Sequence, residues 1–107
     1  MALQMDREII TKIRVNDAGE LLLSLESNGE AFYQYVYRAA SGVYWDQENH
    51  GFKSTPMKKD WSCLEWYNQI VSVVKSELSV ELILSKNISC ENLPENDKAE
   101  ILRQHAI

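Results

Sequence analysis

The sequence predicts one α+β domain, and three observations predict it. The first half alternates apolar and polar residues with period two, cut by turn signals at Asn16-Asp17-Ala18-Gly19, Asn28-Gly29 and Asn49-His50-Gly51. After Ser62 the apolar residues switch to helical spacing, and Pro94 opens a second, shorter helical pattern. The length, 107 residues, suits a single core. The expected architecture is an antiparallel β-meander of four or five strands with one helix packed across it, a further strand and a C-terminal helix. It spans residues 1–107, with disorder expected within residues 1–5.

Arg7 to Val15 reads as a half-buried strand, with Ile9, Thr11, Ile13 and Val15 on one face and Ile10 as the exception. Asn16 to Gly19 predicts a type I turn closed by a left-handed glycine, which sets Asn16 opposite Glu20. Val15 then faces Leu21, Ile13 faces Leu23 and Thr11 faces Leu25. Asn28-Gly29 predicts a two-residue hairpin into a strand from Phe32 to Tyr37, which puts Phe32 and Val36 with Val43 and Trp45 in the core. Tyr33, Tyr35 and Tyr37 fall on the other face, and a turn one residue longer would exchange the faces. A glycine-closed turn at Asn49-His50-Gly51 returns the chain as Phe52-Lys53-Ser54, ended by Thr55-Pro56.

Ser62 and Glu65 have capping-box spacing, so the main helix is expected from Cys63 to about Leu78. Leu64, Tyr67, Ile70, Val71, Val74 and Leu78 form its stripe, and Trp66 and Val73 widen it. Trp61 is expected to precede the helix and cap the core edge. Val80 to Lys86 reads as a strand, and Pro94 to about Gln104 as a helix anchored by Ala99, Ile101 and Leu102.

The formal net charge of −5 disfavours a nucleic-acid partner and suits a basic one, and Lys58 with Lys59 is too little for a phosphate patch. The N-terminus lacks a secretory pattern and no run of 18 apolar residues occurs, so a cytoplasmic protein without a membrane partner is expected. Cys63 and Cys90 fit neither a zinc framework nor a disulfide scaffold and read as packed free thiols. No phosphate loop, nucleophile elbow or metalloprotease motif is present, and no cofactor or metal is expected.

Seven of the ten aromatic residues lie between Phe32 and Phe52. The strand reading puts Tyr33, Tyr35, Tyr37 and Tyr44 on one sheet face with Arg14, Leu22 and Asp46. Tyrosine and arginine together are the composition of recognition surfaces. The expected function is therefore a small non-catalytic binding module, using that face for a protein partner or a small aromatic or cationic ligand, and forming a homodimer through it. The alternative is an acid–base enzyme, a hydrolase or isomerase, using Asp46, Glu48 and His50. Solvated turn residues account for the same three letters. His105 is expected to complement a helix end.

Overall fold

The computed structural model describes residues 6–39, 42–55 and 62–105, apart from the side chains of residues 6, 87, 104 and 105. The expectations for residues 1–5, for Lys58, Lys59 and Trp61, and for the side chain of His105 lie outside the described residues. The fold is α+β: β1 (Asp6–Val15), β2 (Leu21–Leu25), a 3₁₀-helix (Ala31–Ala39), β3 (Val43–Asp46), β4 (Gly51–Ser54), α1 (Cys63–Leu78), β5 (Val80–Glu91) and α2 (Glu95–His105). The sheet has the order β3-β4-β2-β1-β5; β5 runs parallel to β1 and the other pairs are antiparallel.

The first hairpin forms as its turn residues dictate. Gly19 sits at φ 81°, Asn16 Oδ1 accepts from the Ala18 and Glu20 amides, and Val15 pairs Leu21 and Ile13 pairs Leu23. Further along, a bulge between Ile10 and Lys12 shifts the register, so Leu25 faces Ile10 rather than Thr11. The extra residue turns Ile10 into the core, where it is fully buried, and so resolves the one break in the strand's alternation.

The expected strand from Phe32 to Tyr37 is instead the 3₁₀-helix. The reason is the sheet order. Both edges of β2 are taken, by β1 on one side and by β4 on the other, with Leu23 opposite Phe52 and Leu22 opposite Lys53. No ladder is left for residues 31–39, and their backbone groups must be satisfied locally. Gly51 makes the β2–β4 pairing possible, because a Cβ there would lie 2.3 Å from the Leu23 carbonyl oxygen.

Helix α1 has the expected bounds. Ser62 caps it, its Oγ accepting from the Glu65 amide at 3.2 Å, and Ser79 ends it in the left-handed conformation. Trp66, Tyr67, Ile70, Val73 and Val74 pack onto Ile13, Leu21, Leu23, Val43 and Phe52, joined by Ile101 of α2. Strand β5 runs on to Glu91, well past Lys86, because it pairs β1 again after a break, Ile10 facing Leu84 and Lys12 facing Ser89. Among the described residues α1, α2 and the 3₁₀-helix all pack on the core side of the sheet, and the other face carries no covering element.

Candidate functional site

A 3₁₀-helix has three residues per turn, so its side chains line up in three rows. Tyr33, Val36 and Ala39 make the inward row; Tyr33 and Val36 are buried and Ala39 packs against the core. Tyr33 meets Trp45 and Phe52, each with ring centroids 5.4 Å away, and its hydroxyl donates to Glu8 Oε2 at 2.6 Å. Glu8 Oε1 accepts from Ser27 Oγ at 2.7 Å, and Ser27 Oγ accepts from the Gly29 amide. One carboxylate on β1 thus ties down both the helix and the loop that leads into it. Gly29, at φ 76°, lies against Trp45, where any Cβ would come within 2.6 Å of the indole.

The other two rows face outward. Phe32, Tyr35 and Arg38 form one; Ala31, Gln34 and Tyr37 form the other. Phe32 is 40% exposed, Tyr35 44% and Tyr37 51%. The Arg38 guanidinium carbon stands 4.5 Å from the Tyr35 ring centroid, a cation–π contact between consecutive turns.

The seven expected site residues therefore do not share one face. Tyr33 is a core residue, Tyr35 and Tyr37 stand on the outside of the helix, and Arg14, Leu22, Tyr44 and Asp46 lie on the open sheet face. Phe32, expected in the core, is exposed, and Tyr33 takes its place beside Trp45. The physical cause is the change of period from two to three when a strand becomes a 3₁₀-helix. Phe32 and Arg38 were missed as surface residues, and a signal for them was available. A strand reading carries Gln34 and Arg38 to the core face, whereas a period of three puts Tyr33, Val36 and Ala39 there.

On the sheet face, strand register sets Arg14, Leu22, Lys53 and Tyr44 side by side across β1, β2, β4 and β3. Leu22 is only 2% exposed although no helix covers it. The stems of Arg14 and Lys53 flank it in register, as long charged side chains do over apolar surface. Of the charges around it, Lys53 engages Asp46 at 3.7 Å and Glu20 at 3.8 Å and Lys12 engages Glu91 at 3.6 Å, whereas the Nε of Arg14 is buried without a hydrogen-bond partner among the described residues. Tyr44 is 42% exposed at the edge of this network.

Asp46, Glu48 and His50 form a turn rather than an assembled acid–base group. Burial on its own raises the Asp46 pKa, but hydrogen bonds from the Asn49 side chain and amide, with the Lys53 charge, outweigh it and hold the carboxyl below the usual aspartate range. Such a carboxylate is a weak base near neutrality. His50, rather than a glycine, takes the left-handed position at φ 50°, and its carbonyl accepts from the Leu25 amide at 2.8 Å. Glu48 is exposed. Among the described residues no group of three or more histidine, cysteine or acidic side chains is placed to hold a metal. Burial, then the nearby Asp97, pushes the Cys63 thiol up, and burial does the same for Cys90, so neither is set up as a nucleophile. No described helix is long and apolar enough to cross a membrane.

The solved "Structure from the mobile metagenome of North West Arm Sewage Outfall: Integron Cassette Protein Hfx_Cass5" is similar to the chain at 28% identity, covering 97% of this chain and all of that one, with a TM-score of 0.43. No match was found among curated proteins. Residues 9–88 match the family described as Integron Cassette Protein Hfx_Cass5, a span that takes in most of β1, all of β2, the aromatic helix, β3, β4 and α1, and most of β5. The chain belongs to the Integron Cassette Protein Hfx_Cass5 family.

Proposed function

We propose that the protein is a non-catalytic interaction module that presents the outward rows of the Ala31–Ala39 helix to a protein partner. The observation that carries this is the exposure of Phe32, Tyr35 and Tyr37 together, beside Arg38, on an element whose inward row is locked into the core. Aromatic and arginine side chains supply most of the binding energy of protein contacts, and they do so best when little ordering remains to be done on binding. Tyr33, Glu8 and Ser27 supply that order in advance.

The same geometry favours a protein over a small aromatic or cationic ligand. Side chains standing out from a helix form a ridge, whereas small ligands are held in concave sites. One face of the Tyr35 ring is already engaged by Arg38. Arg14, Leu22, Tyr44 and Asp46 stay with the sheet face, where Lys53 engages Asp46 and Leu22 is buried.

The test is in-cell photo-cross-linking with benzoylphenylalanine placed in turn at positions 35, 37 and 44. The expected result is a discrete adduct from positions 35 and 37 and none from position 44. Equal labelling from all three positions, or none from any, would overturn the proposal.

A further inference from the structure

We infer that Arg14 and Asp17 hold a small zwitterion, a free α-amino acid, in the cleft beyond the ends of β1 and β5. The site is separate from the Ala31–Ala39 helix, none of whose residues lines it, and its ligand is of a different kind from that helix's partner.

The cleft forms because β1 and β5 run parallel and stop together. Register puts Arg14 beside Glu91. Just beyond, Asn92 sits at φ 58° and donates from Nδ2 to the Val15 carbonyl at 3.1 Å, which pins one strand end to the other. Arg14, Asn16, Asp17, Glu91 and Asn92 line a space of about 160 Å³. At about 30 Å³ per water that is room for about five waters, or for one small amino acid.

What sets the cleft apart is an arginine left without its acid. Glu91, its neighbour on β5, turns back to Lys12 at 3.6 Å. Among the described residues the buried Arg14 Nε has no hydrogen-bond partner, and the rest of the guanidinium makes no hydrogen bond or ion pair. A cationic group partly withdrawn from water and given no counter-charge is costly, and an arriving carboxylate supplies one through charge-assisted bonds to the guanidinium. Asn16 is already spent: its Oδ1 accepts from the Ala18 and Glu20 amides and its Nδ2 donates to Glu20 Oε1. Asp17 is exposed and, among the described residues, its carboxylate is bonded to nothing.

That pairing of charges selects the ligand. Asp17 and Glu91 repel a phosphate, which would have one arginine to meet its charge. A carboxylate carrying an ammonium meets Arg14 with one end and Asp17 with the other, and in so small a space the two ends must be only a few bonds apart. The cleft is open and the ligand small, so the dissociation constant is on the order of 1 mM.

The test is proton–nitrogen NMR of the full chain, titrated at constant ionic strength. Because the Arg14 Nε is buried, its proton exchanges slowly and gives a resonance of its own, identified by its loss in Arg14→Lys. The probe is L-alanine, taken to about 50 mM. L-Lactate keeps the size and the carboxylate without the ammonium, and L-alaninamide keeps the ammonium without the carboxylate. L-Alanine is expected to shift the Arg14 Nε resonance and the Asp17 and Asn92 amides saturably. L-Alaninamide should bind at least about tenfold more weakly, and L-lactate at least about threefold more weakly. Arg14→Lys keeps the charge and a stem over Leu22 but loses the planar fork, and should weaken L-alanine at least about tenfold, read on the Asp17 and Asn92 amides. Asp17→Asn should weaken L-alanine at least about threefold without weakening L-lactate. Unchanged amide resonances away from the cleft confirm that each variant is folded. No saturable shift from L-alanine overturns the inference, as does an Arg14→Lys chain that binds it as tightly as the wild type. L-Lactate binding as tightly as L-alanine makes the cleft a plain carboxylate site and overturns the amino-acid assignment, and inorganic phosphate binding more tightly than L-alanine overturns it too.

Discussion

Tyr44 and Tyr35 are almost equally exposed, at 42% and 44%, yet they stand in opposite kinds of surface. Tyr44 borders a sheet face where lysines and carboxylates engage one another over a leucine they have already sealed. Tyr35 stands in a row with Phe32 and Arg38 on a helix whose other side is core. An exposed ring beside a leucine that is already sealed has little neighbouring apolar area to offer a partner, whereas one among other exposed rings has apolar area still to bury. Fractional exposure by itself does not distinguish the two.

The sharpest way to break the comparison is to remove what lies beneath each surface. Tyr33→Ala empties a fully buried site beside Trp45 and Phe52 and should cost about 3–5 kcal/mol in urea unfolding. Tyr35→Ala, two residues away, should stay within about 0.5 kcal/mol, since it removes only surface contacts. Comparable losses at the two positions would mean that the three-residue period is wrong. Leu22→Ala should cost about 2 kcal/mol, near the low end for such changes, because the flexible Arg14 and Lys53 stems can settle into the space. A loss close to zero would show that the sheet face is not sealed. Tyr33→Phe keeps the packing and deletes the hydroxyl that donates to Glu8, for about 1 kcal/mol, and should loosen amide protection through residues 27–33.

The smallest effect concerns acid. With its folded pKa below the unfolded value of about 3.9, Asp46 adds stability above that pH and loses it as the pH falls through the folded value. Urea midpoints should fall more steeply below about pH 4 in the wild type than in Asp46→Asn. Parallel curves would remove Asp46 from the account of how this turn is held.

Much of the fold was legible because it rests on local rules. The Asn16 to Gly19 turn, the Ser62 cap and the bounds of α1 depend on residues within a few positions of each other, and each forms as expected. The bulge at Thr11 was half legible, since Ile10 broke the alternation, but which residue would be extruded depends on the strands on either side. The candidate site was the least legible part. Asn28-Gly29 is a strong hairpin signal and Phe32 to Tyr37 is rich in strand-forming residues, yet neither decided the outcome.

From the sequence alone follow the α+β class, the first hairpin and its register beside the turn, the main helix, and an aromatic-rich segment between Phe32 and Phe52. The tertiary structure decided which aromatics of that segment face inward. Strand β4 occupies the edge of β2 that the segment would have needed, through a contact between Gly51 and the Leu23 backbone that is distant in sequence. Once that edge is taken, residues 31–39 must bond within themselves, the side-chain period passes from two to three, and Tyr33 turns in while Phe32, Tyr35 and Tyr37 stay out.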